Sequence, residues 1–417
     1  MAVEKQMQAN FGEKLQTLLE FPIVQRKKNA ELKRIAAEEE KFLAVKNKIK
    51  TDDSFLKSSF VDIPGKDIKM LKTEVTQELY ETVMEYNPSQ YKDKNNPVEE
   101  VSWYDAIYFC NKLSLLLDLE PVYRVDNEPV PYKWEYTSHK KSEIKEKITI
   151  DYNATGFRLP TLSEWQFAVK GGQEYEFAGS NNLEETVWYY KNSEKKTHNV
   201  GLKKPNGYGL YDMFGNVCEM ISENGEGYGG SYNNSKEGIK LSINKADSSG
   251  SLRVDEKGFR IVQSCSLREK ENNFLKLKKR ISDGKLLDNF LNSFVKIPER
   301  NYEMQKTEVT QEIYEIVMGD NPSSDIGKKN PVQNVSWYDA IYFCNKLSLL
   351  MDLEPVYAVE GEAIPYKWNY VPHSNINYII SEDIKMNENA NGFRLPTEEE
   401  WEFAKRGINS EYKKLEG

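Results

Sequence analysis

The sequence predicts a loop-rich α+β domain that occurs twice in the chain. Three observations carry this. Apolar residues recur at helical spacing behind three capping positions. A long Gly-, Asn- and Ser-rich stretch then holds only short apolar runs. Finally, whole segments return at a constant offset, as a duplicated domain requires.

Taken in order, the first helix begins at Thr76, whose side chain can cap TQELYETVM; Leu79, Tyr80 and Val83 fall on one face. Ser102 can cap the second, with Asp105 in the capping-box position. From there Trp103, Ala106, Ile107, Cys110 and Leu113 share a stripe. Thr161 and Glu164 mark the third, with Trp165, Ala168 and Val169 inward. Beyond Gly171 the runs NVGL (199–202) and FRIV (259–262) read as short strands between loops.

The repeat is specific. KTEVTQELYETVM at 72–84 returns as KTEVTQEIYEIVM at 306–318, and NPVEEVSWYDAIYFCNKLSLLLDLEPVY at 96–123 returns at 330–357 with three changes. PYKWEY at 131–136 matches PYKWNY at 365–370, and GFRLPT at 156–161 returns at 392–397. The division expected is a charged helical segment at 1–54, a complete domain at 55–265, a linker helix at 266–288 and a second, truncated domain at 289–417. The second lacks everything equivalent to 178–263. In the first segment Ile35, Phe42 and Ile49 lie seven apart, which suits either a solvated spacer helix or an oligomerising one.

Composition limits the function. A net charge of −9 argues against nucleic acid or an anionic membrane as the partner, since phosphate contacts need clustered cations. No run of about 18 apolar residues is present to span a bilayer. The start has no apolar core or cleavage site of a signal peptide, which reads as a cytoplasmic chain. The four cysteines, Cys110, Cys218, Cys265 and Cys344, show no metal-binding spacing, and Cys110 and Cys344 sit on an apolar stripe as small buried hydrophobes. Three histidines are few for a histidine-based metal centre.

The order TEVTQxxY, NPVxxVSWYDAxxFCNxLS, GFRLPTxxEWxxA, KTHNVG, PNGYGLYDMFGNVCE, GGSY and a closing GFR resembles the formylglycine-generating enzyme, or sulfatase-modifying factor, family. The resemblance implies a C-type-lectin-like fold of two or three helices around a small, mostly antiparallel sheet. It also implies oxidation of a sulfatase cysteine by copper and dioxygen, with copper held by two cysteines soon after GGS[YW]. Thiolates suit Cu(I), but here the positions are Asn234 and Ile239, and no cysteine lies between Cys218 and Cys265. Copper is therefore not expected, and the chain reads as a non-catalytic binding module for a protein or glycan. Formylglycine-generating oxidase and a truncated tandem product without its own activity are the alternatives. Calcium is the cofactor that the resemblance implies, at Asp212, Gly215, Val217 and Glu219 of GLYDMFGNVCE. A turn capped by its own backbone would use the same residues. The polar loops of 220–257 are expected to hold the ligand, through Tyr228, Tyr232, Asn233, Asn234 and Arg253. Arg158 and Arg394 are expected to brace the core by pairing with Glu164 and Glu400, and His198 to be structural.

Overall fold

A computed structural model describes residues 25–47, 59–134, 136, 143–223, 225–241, 252–373, 380–381 and 383–415. The architecture is α+β, with short helices, small sheets and long loops. Ile49, Asn224 and residues 242–251 of the expected ligand loop lie outside the described residues.

Helix α1 (25–47) is no detached spacer. It buries Phe42 and Val45 against the first core, with the Phe42 ring 5.7 Å from that of Tyr132. Next come β1 (Phe60–Asp62), β2 (Ile68–Leu71), α2 (Gln77–Met84), α3 (Trp103–Leu116), β3 (Tyr123–Val125) and β4 (Ile148–Ile150). They are followed by β5 (Phe157–Arg158), α4 (Leu162–Lys170), α5 (Leu183–Thr186), β6 (Cys218–Met220), β7 (Gly227–Tyr228), α6 (Lys236–Leu241), β8 (Lys257–Gly258) and β9 (Val262–Ser264). The expected caps form. Thr76 accepts from Leu79, and Ser102/Asp105 and Thr161/Glu164 close complete capping boxes.

The main sheet runs β1-β2-β9-β5, all antiparallel; a smaller one runs β7-β6-β8, with β6 and β8 parallel. One core packs α2 and α3 against Phe157, Phe259 and Ile261; a second packs Trp165 against Met213, Phe214 and Tyr228. Two runs expected as strands depart from expectation. NVGL is a turn. Within FRIV only Val262 is in a strand, because Phe259 and Ile261 give their carbonyls to Val75 and Leu71 while irregular backbone lets Arg260 point inward.

Helix α7 (Leu267–Gly284) then joins a second set of elements: α8 (Asp288–Leu291), β10 (Phe294–Lys296), β11 (Glu303–Gln305), α9 (Gln311–Met318), α10 (Trp337–Leu350), β12 (Tyr357–Val359), β13 (Ile384–Met386) and α11 (Glu398–Leu415). Helices α9 and α10 carry the caps of α2 and α3 at Thr310 and at Ser336/Asp339. The two units are joined by contacts as well as by chain. Lys66 pairs with Asp320, Tyr152 N–H donates to Asn369 Oδ1 at 2.6 Å, and Asn153 Nδ2 donates to the Lys367 carbonyl at 2.9 Å. Helix α7 touches both, through Lys69–Glu269 on one side and the Phe274–Tyr366 ring pair on the other.

Candidate functional site

The segment Gly209–Glu219 turns the chain into β6. Asp212, Gly215 and Asn216 all have positive φ. At Gly215 glycine is required, because a Cβ would stand 2.1 Å from the Trp188 carbonyl oxygen. The Asn216 side chain ties the turn to His198, accepting from its N–H at 2.9 Å and donating to its carbonyl at 3.1 Å. The His198 ring stacks on Trp188 at 4.0 Å and its Nε2 lies 2.7 Å from the Ser193 carbonyl, so it serves the scaffold.

Glu219 leads into a buried charge cluster. Arg260 donates to its two oxygens at 2.6 and 2.5 Å, and Trp165 Nε1 donates at 2.8 Å. The remaining guanidinium hydrogens go to the carbonyls of Leu71, Lys72 and Tyr211. Asp212 Oδ2 accepts from Gly201 N–H at 2.6 Å, while its Oδ1 and both oxygens of Glu74 are buried with no hydrogen-bond partner on another residue. Burial, then the charges of Asp212 and Glu219, push the Glu74 carboxyl well above the usual carboxylate range, against the pull of Arg260. Burial likewise pushes Asp212 up to about 6.

This geometry tests the calcium set. Gly215 and Val217 are buried in the turn and Asp212 offers one unpartnered oxygen. Glu219, however, already meets a cation, and a second one beside Arg260 would add like-charge repulsion in a site removed from water. The four residues do not fit an ion shared by both carboxylates. Among the described residues, no three of His, Cys, Asp and Glu gather as a metal-holding group.

The copper positions hold other chemistry. Ile239 on α6 is fully buried in the second core, and Asn234 Oδ1 accepts from Ser231 N–H at 2.7 Å. Cys218 lies in the smaller sheet beside Gly227 and Lys257. Cys265 follows β9 near Asp67, Lys69 and Glu269, where burial pushes its thiol up to about 12. The two cysteines share none of these neighbours, and none of the four described cysteines forms a disulfide.

Of the residues expected to meet a ligand, Tyr228 and Tyr232 are buried, Asn234 and Arg253 are partly exposed and Asn233 is exposed. Tyr228 packs in the second core. Tyr232 is 3% exposed, and its hydroxyl donates to Asp255 at 2.8 Å. Asn233 donates to Glu256 at 2.9 Å. Arg253 reaches Asp105 at 2.8 Å and Tyr136 at 3.0 Å. These contacts brace the loop and withdraw the two tyrosine rings, while the Asn233 amide stays open to solvent. Arg158 and Arg394 make bidentate pairs with Glu164 and Glu400, every bond 2.6 Å. Sequence reasoning passed over Glu74 and Glu99, although each is a carboxylate set beside a valine in a buried motif, which is the signal that could have found them.

A family model for the sulfatase-modifying factor enzyme 1-like domain matches residues 58–265 and 292–415. The chain belongs to that family. Among its relatives is a protein named chaperone protein LppX from Paenibacillus barcinonensis, 38% identical over 189 residues, covering 40% of this chain and 66% of that one. A formylglycine-generating enzyme of Mus musculus is 27% identical over 144 residues, covering 31% of this chain and 27% of the enzyme. The chain thus spans less than two thirds of either relative. Of solved structures, Treponema denticola variable protein 1 is 35% identical with a TM-score of 0.43, covering 47% of this chain and 84% of that one. CarF is 26% identical with a TM-score of 0.39, covering 48% and 87%.

Proposed function

We propose that the chain is a non-catalytic member of the family whose first unit binds a protein ligand. The observation that carries this reading is Ile239. An aliphatic side chain fully buried in the second core stands at one of the positions where the resemblance implies a copper-binding cysteine, and Asn234 stands at the other. Neither residue supplies a thiolate, so the step that needs Cu(I) has no ligand pair. A relative that carries the name chaperone supports a protein rather than a glycan as the ligand. The bracing of the loops by Tyr232–Asp255, Asn233–Glu256 and Arg253–Asp105 supports recognition by a pre-ordered surface.

The test is chemical. A peptide carrying a sulfatase cysteine motif, incubated with the full chain, copper and oxygen, should keep its thiol mass. Conversion to the aldehyde by mass spectrometry would return the chain to the oxidases. A binding role is read by light scattering: the full chain should slow aggregation of a heat-unfolded client protein, and no slowing at equimolar chain would count against a protein ligand.

A further inference from the structure

Position 112 and its counterpart 346 carry the same lysine in the two units, in different company. Lys112 pairs with Glu85 at 3.4 Å. In the second unit the residue equivalent to Glu85 is Gly319. Lys346 is therefore left without the carboxylate that its twin uses, and among the described residues it makes no ion pair. It lines a cavity of about 560 Å³ between the β1–β2 hairpin, α7, α9 and α10. That size is ordinary for a small-molecule site.

The lining is cationic and partly apolar. Lys66, Lys69, Lys270, Lys276, Arg280 and Lys346 face it, against three acids, Asp62, Asp67 and Glu269. Two of the cations are matched, Lys66 by Asp320 and Lys69 by Glu269. Lys276 and Arg280, exposed on α7 at the rim, make no ion pair among the described residues. Tyr342, Tyr366, Phe274 and Met318 supply an apolar wall. A half-buried ammonium with an aromatic wall and two rim cations is complementary to one class of molecule.

We propose that this cavity binds a small organic anion, a carboxylate, sulfonate or phosphate on an apolar body, with its charge on Lys346 and its body against Tyr342 and Phe274. The site draws on both units, and it is independent of the loop surface of the first.

The experiment uses 8-anilinonaphthalene-1-sulfonate, an anion on an aromatic body, titrated into the full chain and followed by fluorescence. One saturable site per chain is expected, weakening as salt rises. Lys346→Gln should weaken it about tenfold or more, the loss of one charge-assisted contact, while Lys112→Gln in the first unit leaves it unchanged. Should Lys346→Gln fail to fold, judged by its melting transition, the exposed Lys276→Gln/Arg280→Gln double variant decides by the same weakening. Absence of saturable binding overturns the proposal, as does unchanged affinity in a folded Lys346→Gln. Inorganic phosphate that competes with the dye would place the charge subsite; phosphate that binds as tightly as the dye would overturn the role given to the apolar wall.

Discussion

Arg260 is the buried cation that Glu74, Asp212 and Glu219 surround, and its removal shows what the cluster is worth. Arg260→Met strands Glu219 in a fully buried site. A loss of about 3–5 kcal/mol is expected in denaturant unfolding, as for other broken buried pairs. Changing Glu219 to Met as well should recover part of it; no recovery would mean that the cost lies in packing. Titration belongs at this scale too. Burial raises Glu99 and Glu223 to about 7 and Asp212 to about 6, above the ordinary carboxylate range. A carboxyl whose folded pKa is raised holds its proton more tightly when folded. Its stabilisation is present in acid and lost as pH climbs from the unfolded value through the folded one. Glu400 acts in the opposite sense. Its bond to Arg394 lowers it to about 2, so that contribution fades only in stronger acid. The melting temperature should therefore be higher near pH 5 than near pH 8, and Glu99→Gln should flatten the fall. A flat profile in the parent chain would refute the assignment.

At the scale of elements, the capped helices were legible from sequence and the irregular half was not. Thr76, Ser102 and Thr161 announce their helices because a cap is a local hydrogen bond, fixed by residues three apart. The pairing of Arg158 with Glu164 was legible for the same reason, six residues along the chain. NVGL was misread because its apolar residues serve a turn, and the Arg260–Glu219 pair was missed because it spans 41 residues. The same contact bears on the calcium set, since nothing near Glu219 in sequence shows that a cation arrives from the closing GFR. Two expectations follow. Ser102→Ala opens a capping box and should cost about 1 kcal/mol. Ile239→Ala should cost about 2–5 kcal/mol by leaving a cavity in the second core, and calorimetry of each variant checks both. An effect near zero at Ile239 would show that α6 is not part of the core.

Across the whole molecule, equivalent side chains meet different fates. Trp165 is fully buried beneath Phe214 and Tyr228, whereas its counterpart Trp401 is 50% exposed. Trp103 donates to the Ile221 carbonyl at 3.1 Å, whereas Trp337 is 51% exposed. Acrylamide should quench these two indoles far faster than the rest, and the fast component should vanish in Trp337→Phe/Trp401→Phe. Its persistence would mean that the second unit opens elsewhere.

The seam between the units has a mechanical side. Its tightest point is bare backbone: a Cβ on Gly319 would lie 2.5 Å from the Gly65 carbonyl oxygen. One methyl group there is a wedge against the Gly65 backbone, and at φ 90° it also strains the left-handed cap of α9. Close approach of the halves at this point thus depends on a residue with no side chain. Gly319→Ala should therefore lower the melting temperature by calorimetry, and an unchanged melting temperature would show that the seam has room for the methyl group.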